Sequence, residues 1–111
     1  MTGQITLERW VELTSTTPAR MFGLYGTKGV IAPGADADIV VYDPNGHTSI
    51  GYGEGKKHHM NMDHSAWEGF EIDGHVDVTI SRGTVLIADG EYQGTKGHGQ
   101  FLKRDLTQYL V

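Results

Sequence analysis

Apolar residues recur at helical spacing near the start of the chain. Leu7, Trp10 and Val11 occupy positions i, i+3 and i+4, which form one face of an α-helix. Thr6 is a suitable N-cap residue, and Glu8 lies in the first turn, where the helix dipole favours an acidic side chain. The pattern predicts a short amphipathic helix that begins after Thr6.

The run of hydroxyl residues at 14–17 interrupts this helical pattern. Pro18 follows, and proline is favoured in the first turn of a helix because its missing N–H has no helical partner there. The sequence therefore predicts a second short helix, which Gly23 or Gly26 can end with a left-handed residue.

From Pro33 onward the pattern becomes typical of β structure. Pro33 and Gly34 suit a type II turn, which requires positive φ at its second central residue. The continuous apolar run 39–42 predicts a strand with both faces covered, and Asp43-Pro44 is expected to end it. A second strand is predicted over residues 47–50.

Alternating apolar and polar residues predict a hairpin in the second half of the chain. Segments 76–80 and 85–87 alternate, and residues 81–83 between them form a turn signal. Asp89-Gly90 is a second turn signal, which leads into a short predicted strand at 91–93.

The helices come first and the strands follow, which argues against alternating strand–helix units. We therefore expect a mostly β fold with N-terminal helices. The helical segment is assigned to residues 1–27, the β portion to 28–93 with a long loop at 51–66, and a tail to 94–111. Because the helices have apolar faces with few partners in this sequence, we also expect a chain that continues upstream of Met1.

Composition excludes several classes of protein. The 111 residues suffice for one domain at most, and 16 of them are glycine, which favours turns and short strands. The absence of cysteine excludes disulfide scaffolds, thiolate metal sites and a cysteine nucleophile. A net charge of −5 with scattered basic residues argues against a nucleic-acid partner. No apolar run has membrane-spanning length and no signal peptide is recognisable, so we expect no membrane partner and a cytoplasmic location.

The densest candidate chemistry is the stretch that contains His58, His59, Asp63 and His64. Imidazole and carboxylate groups are suitable zinc ligands, so these four residues are weak candidates for a metal site. Their spacing matches no His-Glu-x-x-His motif, and the preceding glycines argue against a helix that would align them. A solvated or interface loop is the favoured interpretation, and no catalytic or metal-binding residue is assigned.

Other motifs are weaker still. Asp36 and Asp38 flank Ala37 before a predicted strand, where aspartate commonly shapes a turn, and an acid–base pair is the alternative. The Gly-rich segment 51–57 lacks the spacing of a phosphate-binding loop, and no serine lies in a Gly-x-Ser-x-Gly motif.

The segment 26–43 resembles the C-terminal strand motif of the amidohydrolase superfamily. Its motif residues are Lys28, Gly29, Pro33, Gly34, Asp36 and Asp38. The flanking segments resemble, in the same order, the C-terminal part of dihydropyrimidinases and D-hydantoinases. They are residues 17–24, 58–59 with Asp63, 67–69, 81–83, 89–90 and 97–104. The resemblance covers nearly the whole chain, from residue 7 to residue 105.

This resemblance implies a fold and an activity for the whole enzyme. Such enzymes open the ring amide of dihydropyrimidines and 5-substituted hydantoins at the C-terminal face of a (β/α)8 barrel, using two zinc ions bridged by a carboxylated lysine. A small composite β-sandwich accompanies the barrel, and this chain would supply the C-terminal part of that sandwich, with the barrel itself absent. The family's metal ligands have no counterpart here, so the resemblance implies no cofactor in this chain, no activity alone, and a structural or oligomerisation role.

The same resemblance implies an incomplete sandwich with exposed edges. We therefore expect either self-association or binding to the missing N-terminal part of the enzyme. Trp10, Phe101, Leu102 and Tyr109 are the candidate interface residues. Two alternatives stay open: a self-standing β module that acts by binding or self-association, and a small metal hydrolase built on residues 58–64.

Overall fold

The computed structural model of the chain describes residues 4–52, 58–60 and 62–109, and it is mostly β with short N-terminal helices. The fold class predicted from the sequence is confirmed at this level. In chain order, the elements are helix α1 (Leu7–Val11), a π-helical turn (Glu12–Thr16), helix α2 (Thr17–Met21), and strands β1 (Ile39–Ser49), β2 (Glu71–Ser81), β3 (Thr84–Ala88) and β4 (Glu91–Tyr92). Within these described residues, no helix combines the length and the apolar composition that crossing a bilayer requires.

The ends of the helical run follow the predicted capping chemistry. The Thr6 hydroxyl accepts a hydrogen bond from the N–H of Arg9 at 3.2 Å, which satisfies one of the free donors of the first turn. After α2, Gly23 has a φ of 66°, and the N–H of Leu24 donates to the carbonyl of Ala19 at 2.7 Å. With a further bond from Gly23 to Arg20, this is a Schellman motif, so Gly23 ends the helix as predicted.

The predicted break at residues 14–17 is wrong, because the chain stays helical through it. Residues Glu12–Thr16 form a π-helical turn that joins α1 directly to α2. The Thr14 hydroxyl donates to the carbonyl of Trp10 at 2.9 Å, so it bonds back within the helix instead of ending it. The wider π turn also places Pro18, which has no N–H to donate, within a continuous helical run.

The four strands found among the described residues form one antiparallel sheet in the order β1-β2-β3-β4. Arg82 and Gly83 have φ values of 46° and 80°, and Asp89 and Gly90 have 52° and 70°. Two successive residues with positive φ are the signature of a type I′ turn, whose twist matches that of the flanking strands. Both predicted hairpin turns are therefore confirmed, and they fix the order of β2, β3 and β4.

Strand β1 differs from the prediction, which divided it into two strands. It is a single strand that pairs with β2, and its register shifts between Asp43 and His47. Asp43 pairs with His75 and His47 pairs with Asp73, so three residues of β1 lie opposite Gly74 alone. Asp43-Pro44 therefore begins a bulge instead of ending the strand, and a proline is tolerated there because β1 is an edge strand.

The sheet is open, and very little of it is buried within this chain. Ala19 is the only apolar side chain that is fully buried among the described residues. Val40 is 56% exposed and Val41 is also exposed, so the predicted covering of both faces of this strand is wrong for the chain by itself. One short helical run cannot cover two faces of a sheet, and no second sheet is present in the described ranges.

The helical run contacts the sheet through an aromatic pair. The rings of Trp10 and Tyr42 lie 5.1 Å apart between centroids at an angle of 52°. The Tyr42 side chain crosses over Gly74, whose φ is 105°, and a Cβ at that glycine would overlap the Tyr42 ring. The absence of a side chain at Gly74 is therefore what lets the Tyr42 ring approach β2 this closely while it contacts Trp10.

We expect Gly74→Ala to lower the free energy of unfolding by about 2 kcal/mol, because the methyl group would displace Tyr42 and the residue would keep an unfavourable φ. Thermal unfolding followed by near-ultraviolet circular dichroism would measure the loss. Gly99→Ala is the matched control, since no atom lies within 4 Å of the added Cβ. Equal melting temperatures for the two variants would contradict this account of Gly74.

Candidate functional site

The main polar cluster of the structure is formed by Lys28, Asp36 and Asp38, and we call it the Lys28 cluster. The Lys28 ammonium lies 2.8 Å from the Asp36 carboxylate and also forms a short ion pair with Asp38. The Lys28 side chain is 20% exposed, so its ammonium group is partly shielded from water. Two carboxylates around one partly buried ammonium make a compact charged contact within the segment that joins α2 to β1.

A tight turn and a backbone hydrogen bond position the aspartates of this cluster next to Lys28. Gly34 has a φ of 90°, and the N–H of Ala35 donates to the carbonyl of Ala32 at 3.1 Å, which confirms the predicted type II turn. Directly after this turn, the N–H of Asp36 donates to the carbonyl of Thr27 at 2.9 Å. The turn therefore brings the two aspartates back to the segment that carries Lys28.

Gly29, another motif residue, lets the segment that carries Lys28 pack closely against the helical run. Its φ is 75°, and a Cβ there would lie 2.5 Å from the Cβ of Ala19 and 3.0 Å from the carbonyl oxygen of Ser15. The Thr16 hydroxyl donates to the Gly29 carbonyl at 2.9 Å. Glycine is required because the loop backbone packs directly on the helical run.

The cluster also holds the turn between β2 and β3. Asp38 accepts a hydrogen bond from the N–H of Arg82 at 2.7 Å, and the N–H of Gly83 donates to the carbonyl of Ala37 at 3.0 Å. The hydrogen bond from Lys28 is the main cause that lowers the pKa of Asp38, the Arg82 N–H adds to it, and burial opposes it. Burial by itself would lower the pKa of Lys28, but the hydrogen bonds to Asp36 and Asp38 outweigh it and raise that pKa.

The Arg82 side chain extends this contact to the tail. Its guanidinium forms a short hydrogen bond to the carbonyl of His98, and His98 Nε2 lies 3.2 Å from the carbonyl oxygen of Ser81. Farther along, the N–H of Gln108 donates to the carbonyl of Arg20 at 2.9 Å. The tail is thus held at the β2–β3 turn and at α2, so it spans from the sheet back to the helices.

The geometry of the Lys28 cluster favours a structural role, in which it connects the segment before β1 to the turn between β2 and β3. An acid–base pair needs one carboxyl that carries a proton, but the lowered pKa of Asp38 favours its charged form. Both aspartates face the same ammonium. The turn-shaping interpretation of Asp36 and Asp38 therefore fits the geometry better than the acid–base alternative.

The four weak metal candidates lie in the loop before β2, and they are not gathered into one group. His58 Nδ1 accepts from the N–H of Met60 at 3.1 Å, and the His59 ring lies 6.3 Å from the ring of Tyr92. Asp63 and His64 contact each other at 2.8 Å, and their side chains are 89% and 77% exposed. Across the part of the chain that the structure describes, no three His, Cys, Asp or Glu residues are grouped closely enough to hold a metal ion.

The candidate interface residues divide into two kinds. Trp10 is half-buried and contacts Tyr42 of its own chain. Phe101 is 93% exposed, and Leu102 and Tyr109 are exposed as well. The tail residues are therefore accessible for contacts outside the chain, whereas Trp10 is engaged within it.

A cavity of about 720 Å³ between the helical run and the sheet was not predicted from the sequence. Ile5 and Trp10 line one side, and Ile72, Gly74 and Val76 of β2 line the other. The signal for it was present at Gly74, since a lone glycine inside an alternating strand often marks a close approach by another group. Sequence reasoning also missed Tyr42 and Arg82, whose partners are distant along the chain.

We expect Asp38→Asn to lower stability near neutral pH by about 1 kcal/mol, because it breaks a partly exposed ion pair and weakens the bond to Arg82. A lowered pKa means that the Asp38 contribution is present above its ordinary pKa and is lost as pH falls through the folded-state value. The raised pKa of Lys28 has the opposite sign, so its contribution is lost as pH rises through the folded-state value.

Urea unfolding across a pH series would check this prediction. The unchanged chain should be most stable between the ordinary pKa values of the two groups, and the variant should show a flatter dependence on the acid side. Asp105→Asn is the control, because that residue is exposed and lies outside the cluster. An identical pH profile for Asp38→Asn and the unchanged chain would rule out a stabilising role for the cluster.

Comparison with known proteins agrees with the resemblance found in the sequence. The model of the "Amidohydrolase family" matches residues 1–86. A D-hydantoinase of Streptomyces coelicolor is 53% identical over 109 residues, which are 98% of this chain and 23% of that protein.

Solved structures of hydantoinases contain the same fold. The D-hydantoinase from Bacillus sp. AR9 has a TM-score of 0.85 at 39% identity, over 95% of this chain and 22% of that one. A D-hydantoinase (dihydropyrimidinase) from Thermus sp. has a TM-score of 0.84 at 42% identity, over 96% of this chain and 22% of that one. This chain therefore spans less than a quarter of the length of these relatives. It belongs to the amidohydrolase family, within which it matches a segment of the hydantoinases.

Proposed function

We propose that this chain is the C-terminal, architectural part of a hydantoinase-like hydrolase that opens cyclic amides such as 5-substituted hydantoins and dihydropyrimidines. The observation that carries the proposal is the 53% identity to a D-hydantoinase, which extends over 98% of the chain. Identity of this extent over a segment of less than a quarter of the relative supports a shared local structure and a shared place in a larger enzyme.

The residues that the structure describes do not fit the two-zinc centre that the family resemblance implies. Such a centre needs several histidine and carboxylate ligands around each ion. The described residues gather no three such groups, and the Asp63–His64 pair is exposed to solvent. We therefore derive no catalytic step from this chain, and we propose that it has no hydrolase activity alone.

The exposed apolar surface supports an architectural role. Val40 and Val41 lie on edge strand β1, and Leu7 and Val11 on α1 are exposed as well. A monomeric protein rarely leaves so many large apolar side chains in water. In the proposed enzyme, the remaining length of the hydrolase covers this surface, and β1 and its neighbours form part of a composite sandwich.

Self-association is the proposed behaviour of the chain when that remaining length is absent. An unpaired edge strand offers free N–H and C=O groups to another strand, and copies of the same chain are the available partners. The exposed tail residues Phe101 and Leu106, the latter 82% exposed, supply further apolar contact area. Self-association would also support the alternative function, in which the chain is a self-standing β module that acts by binding or self-association.

The proposed function is tested by exchanging this chain for the matching segment of a relative. We expect the D-hydantoinase of Streptomyces coelicolor to lose activity when its matching 109 residues are deleted, and a chimera that carries this chain in their place to regain ring opening of hydantoin or dihydrouracil. This chain alone, supplied with zinc, should show no turnover.

The Gly74→Ala version of the chimera is the matched control, since it disturbs the packing of Tyr42 on β2 and should therefore restore less activity than the unchanged replacement. A folded, zinc-loaded chimera that is as inactive as the deletion would contradict the proposal. Turnover by the isolated chain would contradict it too, and would favour a metal site in residues 58–64.

Size-exclusion chromatography with light scattering tests self-association. We expect the chain to form dimers or larger species whose population rises with concentration. The double variant Phe101→Ser with Leu106→Ser should shift the chain toward monomer, because it removes two exposed apolar side chains from the tail. Gln100→Ser, a change from one exposed polar residue to another, should leave the distribution unchanged. A concentration-independent monomer for the unchanged chain would refute this part of the proposal.

A further inference from the structure

The bulge in β1 contains an asparagine–glycine pair that lies outside the regular pairing of the two strands. Pairing with β2 stops at Asp43 and resumes at His47, so Asn45 and Gly46 have no residue-for-residue partners in the ladder. Because β1 is the edge of the sheet, the described structure provides no strand on its other side. The backbone at this point is therefore held less firmly than in a regular strand.

Asn45 is exposed, and its hydrogen bond to Asp43 is made by its backbone N–H and not by its side-chain carboxamide. The Asn45 N–H donates to the Asp43 carboxylate at 2.9 Å, which fixes the start of the bulge and leaves the Asn45 carboxamide outside that bond. The next residue has no Cβ, and a Cβ there would lie 2.6 Å from the Cβ of His75. The fold thus requires glycine directly after an exposed asparagine, and glycine leaves its own backbone nitrogen open to the neighbouring carboxamide.

We infer that Asn45-Gly46 is a site of spontaneous covalent modification, namely deamidation through a cyclic imide. The backbone nitrogen of Gly46 loses its proton to base and bonds to Cγ of Asn45. The bond from Cγ to the side-chain nitrogen breaks, and ammonia leaves with a proton from water. Water then opens the five-membered imide at either carbonyl, giving aspartate or β-linked isoaspartate at position 45. The overall change consumes one water and releases one ammonia, with no oxidation or reduction.

The product alters the edge of the sheet. A new carboxylate at position 45 stands two residues from Asp43, whose carboxylate already accepts the N–H of residue 45. The β-linked product also lengthens the backbone by one atom, directly beside the close contact between Gly46 and His75. We therefore expect modification to weaken the pairing of residues after the bulge, including the 2.7 Å contact between His47 and Glu71.

Peptide mapping of the full 111-residue chain tests the inference. The chain is incubated at mildly alkaline pH, with and without urea, and then digested with trypsin. The peptide 29–56 holds Asn45 as its sole amide side chain, and the peptide 58–82 holds Asn61, which precedes a methionine, as its own internal control. We expect the deamidated form, recognised by an acid in place of the amide, to accumulate in 29–56 within several-fold of its rate in urea and several-fold faster than in 58–82. Isomerisation of Asp73 before Gly74 leaves the mass of 58–82 unchanged and is therefore not counted.

The variant Asn45→Gln is the matched control, because its longer side chain disfavours the ring closure, and it should abolish the change in 29–56. A native rate far below the rate in urea would overturn the inference, since the fold would then protect the pair. Equal rates in the two peptides would overturn it as well. The lack of a cooperative urea transition would also overturn the inference, because the bulge exists only when β1 and β2 are paired.

Discussion

The antiparallel pairing of β1 with β2 is the contact on which the rest of this structure depends. Both strands are eleven residues long, and every other part of the sheet is reached from β2. Tight type I′ turns add β3 and β4 at little cost in chain entropy, since each closes a loop of two residues. The helical run is held to the same two strands through Trp10 and Tyr42. A change in the β1–β2 register would therefore displace the helices and the tail together.

The features that could be predicted from the sequence are those decided by a few neighbouring residues. Thr6 begins the helix and Gly23 ends it because a free N–H and a left-handed residue are local requirements. Pro33-Gly34 and Arg82-Gly83 specify their turns for the same reason. The Lys28 cluster was recognised as a motif, but the sequence could not show its geometry, because the bond from Arg82 to Asp38 joins residues 44 positions apart.

The features that could not be predicted depend on what lies across the chain or outside it. The apolar run 39–42 indicates a buried strand, yet Val40 and Val41 are exposed here, because burial is decided by partners and not by the strand itself. Asp43-Pro44 marks the end of a strand in most contexts, but pairing with β2 resumes at His47 and makes it a bulge. The hydroxyl residues at 14–17 favour a break, and the back-bond of Thr14 keeps the helix continuous instead.

The polar groups described above therefore find their partners within this chain, whereas most of its large apolar side chains do not. The Lys28 cluster, the Arg82 guanidinium and the two anchors of the tail are satisfied by partners within the chain. The apolar side chains are not, since Ala19 alone is fully buried among those described. Hydrophobic burial supplies most of the favourable free energy of folding, whereas partly exposed ion pairs supply little. The polar contacts can thus specify how the segments are arranged, whereas covering the exposed apolar surface would add most of the further stabilising free energy. This division is consistent with the proposed architectural role, in which the shape of the segment is set internally and stability is gained on assembly.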